Sequence, residues 1–165
     1  MNEAGFEITE ALGHDDNALL YRACRRSDRR RVVLKVLDQQ THQSRELERL
    51  RNEVEVAGDL DQPGILRPLM LVMHDGLPAL MSEDFAGVPL EGLLGEPLAI
   101  GRFFDLASAI TAALEQVHRA GLVHKDVTPR NIFVSESTDE IRLYGFGLAS
   151  RTPRQPFVAQ SPELI

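Results

Sequence analysis

Along the first half of the chain the apolar residues change period, and this limits the segment to a sheet carrying one helix. Phe6 to Leu12 and Leu19 to Cys24 are short β-prone runs, joined by the turn formers Gly13-His14-Asp15-Asp16-Asn17. Arg31 to Leu37 is a third run, with Val32, Val33, Leu34 and Val36 around one cation, Lys35. Between Ser44 and Leu60 the spacing becomes three and four, through Leu47, Leu50, Val54 and Ala57, which predicts one buried helical face with Ser44 as its N-cap. Glu53 falls at the margin of that face and is predicted to point partly inward. Asp61-Gln62-Pro63-Gly64 ends the helix, and the runs Ile65 to Met73 and Leu77 to Met81 flank Asp75-Gly76, a hairpin signal. Five strands with one helix after the third predict a small α+β lobe.

Ala86-Gly87-Val88-Pro89 reads as a connector. Helical spacing then returns through Phe103, Leu106, Ala107, Ile110, Ala113, Leu114 and Val117, up to a stop at Gly121. Short strands are predicted at Leu122 to Val123, Ile132 to Val134 and Ile141 to Tyr144. The expected division is residues 1–85 and 86–165, with no internal repeat.

Charge and cysteine content narrow the function classes. Against 18 Lys and Arg stand 25 Asp and Glu, a formal charge of −7, which argues against a general grip on nucleic acid or an anionic membrane. The one basic cluster, six Arg between Arg22 and Arg31, reads as a solvated hairpin turn. A single cysteine, Cys24, excludes an internal disulfide framework and suits a reducing compartment. The acidic N-terminus has no apolar signal core, and Ile65 to Met73 is too short to span a bilayer. A cytoplasmic protein is expected.

The string that carries chemistry is His124-Lys125-Asp126-Val127-Thr128-Pro129-Arg130-Asn131. An Asp and an Asn five apart in one loop can converge, the carboxylate accepting a hydroxyl proton and the amide oxygen binding a metal. This string resembles the catalytic loop of eukaryotic-type protein kinases, H-R-D-L-x-x-x-N. Other landmarks follow in order. Val32-Val33-Leu34-Lys35 resembles the V-A-I-K strand, Glu53 sits where its helical partner belongs, Gly145-Phe146-Gly147-Leu148-Ala149 resembles D-F-G-L-A, and Ser161-Pro162-Glu163 resembles A-P-E.

The resemblance implies a kinase-like fold: a five-stranded antiparallel sheet with one helix, then an incomplete, mainly helical second lobe. It implies ATP and magnesium as cofactors and a protein Ser/Thr hydroxyl or a signalling partner as the other ligand. Lys35 would hold the α- and β-phosphates, Glu53 would orient Lys35, Asp126 would act as base and Asn131 would bind magnesium. Leu12, Gly13 and Leu20 would border the nucleotide, and the hinge Glu83-Asp84-Phe85, with Ser82 as gatekeeper, would meet adenine. The string H-K-D-x-x-P-x-N followed by G-L-A-S is similar to kinase-like domains that open large bacterial multidomain sensor proteins, which implies further domains of a longer chain.

The departures are as specific as the matches. Gly145 stands where D-F-G has its metal-binding Asp, and the glycines expected after Gly13 are Asp15 and Ala18. A carboxylate at position 15 repels a phosphate by about 4 kcal/mol at about 4 Å and a dielectric near 20. Lys125 replaces the Arg that clasps a phosphorylated activation loop, and Thr128 replaces a catalytic-loop Lys. The sequence ends at Ile165, so helices that would cover the Phe103 to Val117 helix are expected to be missing, leaving an apolar patch exposed. These features predict a kinase of impaired activity, with a pseudokinase or regulatory module as the alternative. An aminoglycoside-kinase-like phosphotransferase shares the H-x-D-x-x-x-x-N loop, but the G-F-G-L-A and S-P-E strings argue against it.

Overall fold

In the computed structural model, which describes residues 5–15, 17–38, 43–135 and 137–152, the predicted lobe is present. Strands β1 (Phe6–Asp15), β2 (Ala18–Arg25), β3 (Arg31–Leu37), β4 (Pro68–His74) and β5 (Leu77–Glu83) form one sheet in the order β1-β2-β3-β5-β4. All four pairings are antiparallel. Helix α1 (Gln43–Ala57) is inserted after β3.

Several boundaries differ from the sequence expectation, among them Val88–Pro89, which is a short strand inside the expected connector, and two that flank the site. The predicted turn at Gly13 to Asn17 is mostly strand: Gly13 faces Leu20, His14 faces Leu19 and Asp15 faces Ala18. Irregularities between Ile8 and Glu10 and between Ala11 and Gly13 absorb the register shift, so the backbone ladder outlasts the β-prone side chains. Helix α1 starts at Gln43, which puts Ser44 inside its first turn. The side chain of Asp15 and the Ser161-Pro162-Glu163 string lie outside the described residues.

The period-two pattern of β3 assigns its side chains to two faces. Val32, Leu34 and Val36 join Phe6, Ala23, Val72, Ala79 and Met81 in one buried layer. On the other face Leu37 meets Leu50 and Leu80, with Leu47 and Val54 of α1 packed against them. Each fully buried aliphatic side chain contributes about 1.5–3 kcal/mol. Both faces of the strand carrying Lys35 are therefore tightly held.

The second half contains β6 (Val88–Pro89), α2 (Ile100–Arg119), β7 (Leu122–Val123), β8 (Ile132–Val134), β9 (Ile141–Leu143) and β10 (Ser150–Arg151). Strands β6, β8 and β9 form one small sheet, and β7 pairs with β10. Leu106, Ala113 and Val117 of α2 pack on Ile65, Leu122, Ile132, Leu143 and Phe146. The segment before β4 is stitched into this half: Leu66 N–H donates to the Leu143 carbonyl at 2.9 Å, and Leu143 N–H to Gly64 at 2.8 Å. A Cβ on Gly64 would lie 2.8 Å from the Ala113 Cβ, so glycine permits this close approach. At the start of α2, Ile100, Phe103 and Phe104 are exposed by 75%, 52% and 60%, whereas Leu106, Ala113 and Val117 of the face expected to be uncovered are buried.

The connector between the halves is held by a buried arginine. Arg22 donates from Nε to Asp84 Oδ1 at 3.0 Å, from Nη1 to Glu10, and from Nη2 to the carbonyls of Phe85 (3.2 Å) and Gly87 (2.6 Å). In the rest of the basic cluster, at the β2–β3 hairpin turn, Arg25 pairs locally with Asp28, Arg29 with Glu7 of β1, and Arg31 with Asp84 after β5. Hydrogen bonding from Arg25 holds the Asp28 carboxyl down at about 2. Arg22→Ala leaves two connector carbonyls without their charged donor and should lower the unfolding free energy by about 2–4 kcal/mol in a urea titration. A loss below about 1 kcal/mol would show that water replaces the guanidinium.

Candidate active site

The loop after β7 is anchored by His124, which is 1% exposed. Its Nε2 lies 2.9 Å from the Tyr144 carbonyl oxygen, and its Nδ1 accepts the Asp126 N–H at 3.3 Å. One ring nitrogen donates and the other accepts, which is the pattern of a neutral imidazole. Burial pushes the His124 pKa down, against smaller opposing effects of the Tyr144 carbonyl and Asp126. The ring also packs 4.5 Å from that of Phe146. Lys125 takes a left-handed φ of 66°, which turns the chain sharply between His124 and Asp126.

Asp126 and Asn131 meet in space. Pro129–Asn131 forms a single tight turn in which Asn131 N–H donates to the Thr128 carbonyl at 2.9 Å. The Asn131 amide donates from Nδ2 to the Asp126 carbonyl at 3.0 Å and to Asp126 Oδ2 at 2.8 Å. Two acceptors on one side assign the amide's orientation, so Oδ1 faces the other way, towards Gly145.

Helix α1 reaches the same place from the opposite side. Glu53 is 1% exposed and points fully inward, further than its position at the edge of the apolar face predicts. Its Oε1 accepts the Gly145 N–H at 3.1 Å, while Asn52 donates to the carbonyls of Gly147 (3.1 Å) and Ala149 (3.0 Å). Lys35, from the middle of β3, places its ammonium 5.9 Å from the centre of the Tyr144 ring.

Two cavities open here. One of about 180 Å³ lies against Leu12, Gly13, Leu20, Lys35, Arg130, Asn131 and Tyr144. A second of about 280 Å³ is bordered by Lys35, Glu53, Asp126, Thr128, Arg130, Asn131 and Gly145. Lys35, Arg130 and Asn131 belong to both. Asp126 and Asn131, Lys35 of β3 and Glu53 of α1, separated by up to 96 positions, thus converge on one cleft.

Glu83 and Phe85 stand apart from both cavities. Glu83 accepts from Arg67 Nε at 3.1 Å, and its N–H donates to the Arg67 carbonyl. The Phe85 carbonyl accepts from Arg22 and from Gly87 N–H, and its ring packs with Leu20, Val33, Phe133 and Tyr144. Sequence reasoning did not single out Asn52, Arg130 or Tyr144. Arg130 carried a signal, since it adjoins Asn131 in the loop string, whereas nothing local marks Asn52 or Tyr144.

One cleft therefore gathers side chains from both halves of the chain, and comparison with known proteins gives its family. The protein kinase domain family matches residues 6–162. The chain belongs to the protein kinase family. It is similar to the serine/threonine-protein kinase PknK of Mycobacterium tuberculosis, 32% identical over 151 residues, covering 89% of this chain and 13% of the relative. The DNA damage-responsive serine/threonine-protein kinase RqkA of Deinococcus radiodurans is 30% identical over 161 residues, with 94% and 24% covered. A probable serine/threonine-protein kinase of Clostridium perfringens, CPE1738, is 26% identical over 149 residues, with 87% and 21% covered. The chain thus spans about a quarter or less of the length of these relatives. No helix among the described residues is long and apolar enough to cross a membrane.

Membership of this family implies ATP and a divalent metal ion, and the residues present fit the metal poorly. Gly145 supplies no carboxylate. A Cβ at that position would overlap Asn131 Oδ1 and lie 2.7 Å from Asn131 Cγ, so the amide fills the space that a side chain there needs. No cluster of three or more His, Cys, Asp or Glu among the described residues is placed to hold a metal. Magnesium takes near-octahedral oxygen ligands and commonly one or two carboxylates, and here Asp126 Oδ2 is already engaged by Asn131.

Two outcomes test this geometry. Gly145 has a φ of 79°, so Gly145→Asp combines a left-handed backbone with displacement of Asn131 and should cost about 1–3 kcal/mol of stability in thermal melts. An unchanged melting temperature would show that Asn131 yields freely. Because the folded pKa of His124 is depressed, the neutral ring contributes its full stability above the unfolded value near about 6.5. That stability is lost as pH falls towards the folded pKa, with a slope of at most about 1.4 kcal/mol per pH unit. Unfolding titrations between neutral and acid pH should show it, and His124→Asn should remove it.

Proposed function

We propose that this chain is the nucleotide-cleft and catalytic-loop portion of a serine/threonine protein kinase of strongly reduced turnover, part of a signalling protein. The observation that supports it most is the Asn131 amide bonded to Asp126 at 2.8 Å, on a cavity that also receives Lys35 and Glu53. A carboxylate so held, with its other oxygen turned away from the amide, is suited to accept the proton of a substrate hydroxyl as that oxygen attacks phosphorus. Lys35 offers a point charge to the phosphates, and Glu53 fixes the segment at Gly145 while bordering the same cavity. Leu12, Gly13 and Leu20 bound the upper wall. The relatives named as serine/threonine kinases support a protein hydroxyl as acceptor.

Reduced turnover follows from Gly145, which leaves charge on the transferring group without its carboxylate-held counter-ion. Removing one such stabilising element typically costs about 100- to 1,000-fold. Turnover with ATP and a general protein substrate should therefore fall at least about 100-fold below the usual 1–100 s⁻¹ of kinases. Asp126→Asn should lower what remains by a further factor of about 100 or more. Activity in the ordinary range would remove the impairment, and activity indifferent to Asp126→Asn would remove the assigned base. A non-catalytic regulatory module is favoured by one specific observation, the occupation of the position-145 space by Asn131, and would show no Asp126-dependent transfer at all.

A further inference from the structure

Resting on the nucleotide-cleft reading above, we infer that phosphates are held in this cleft by Lys35 and Arg130 without a divalent cation, so that nucleotide binding is independent of magnesium. The family places a carboxylate at position 145, and this chain has glycine with the Asn131 amide pressed into the vacant volume. The oxygen groups beside it are the neutral Asn131 amide, the Asp126 carboxylate bonded to that amide, and the Glu53 carboxylate, whose Oε1 accepts the Gly145 N–H. Such a set is short of the anionic ligands that draw magnesium out of water.

The positive charge is nevertheless available from the protein. Arg130 borders both cavities, one of which it shares with Asp126 and both with Lys35, and it is half-buried. Among the described residues it has no ion-pair partner, unlike Arg49, which spends its charge on Glu46 at 3.0 Å. A guanidinium presents a planar fork that bonds two phosphate oxygens at once, and it keeps its charge at every physiological pH. Thr128, in the same cavity, has a buried hydroxyl without a hydrogen-bond partner among the described residues. A phosphate oxygen reaching this wall would satisfy that hydroxyl as well as Arg130. The cleft therefore has fixed cationic and hydroxyl donors where the metal-binding set is depleted.

Calorimetric titration of the 165-residue chain with ATP, in EDTA and in millimolar magnesium, tests this directly. The two dissociation constants should agree within about threefold. In EDTA, Arg130→Ala should weaken ATP by about ten- to a hundredfold, as loss of a charged hydrogen-bond donor does, and should leave adenosine unchanged. Arg130→Gln, which keeps the stem and loses the charge, should repeat the effect if the alanine variant melts early. Arg119→Ala, on an exposed turn of α2, serves as the charge control. Magnesium tightening ATP tenfold or more, or ATP affinity within twofold of the parent in both Arg130 variants, would overturn the inference while leaving the kinase reading intact. No ATP binding in either buffer, by protein whose melt shows it folded, would overturn both.

Discussion

Burial of the Glu53 carboxylate is the constraint around which the molecule is arranged. A charged group this far from water is tolerated only with polar partners, and one of them, the Gly145 N–H, comes from 92 residues away. Meeting that demand brings α1 against the segment that follows β9, and Asn52, one residue earlier on the helix, adds bonds to Gly147 and Ala149. With α1 seated there, the sheet that carries Lys35 and the loop that carries Asp126 face each other across a common cleft. The position of the catalytic-loop residues is thus tied to a helix that belongs to the other half of the fold.

The same junction shows how the absence of a side chain at one position shapes the packing around it. Glycine at 145 meets the backbone's need for a left-handed turn, and its lack of a side chain admits the Asn131 amide. The loop is internally bonded through Asp126, His124 and Tyr144. Arg22 plays a parallel part at the connector, where one guanidinium satisfies two backbone carbonyls and Asp84. In both places a polar network replaces apolar packing and specifies one arrangement of the chain.

Much of this was legible from residue order alone, for a physical reason: local period and local turn chemistry act over a few residues. The alternation around Lys35, the three-four spacing through Leu47 and Ala57, and the Asp75-Gly76 pair each predict their element, and the structure contains all three. The strand reaching Asp15 was not legible, because ladder hydrogen bonds come from a partner strand and not from side-chain preference. The start of α1 was misplaced by two residues for a similar reason, since a helix end depends on backbone geometry as well as on the capping residue.

By itself the sequence determined the family, the order of elements and the residue types available for chemistry, because motif spacing survives in one dimension. Only the tertiary structure decided which of those residues share a cavity. It drew Glu53 completely inside, placed Arg130 on the cavities that Lys35 lines, and turned the Phe85 carbonyl towards Arg22. It also let Asn131 occupy the space beside Gly145, a consequence of side-chain volume at a contact between positions 14 residues apart. Volumes, burial and hydrogen-bond direction are properties of packed neighbours, and neighbours across a fold are not written in the local pattern that a sequence displays.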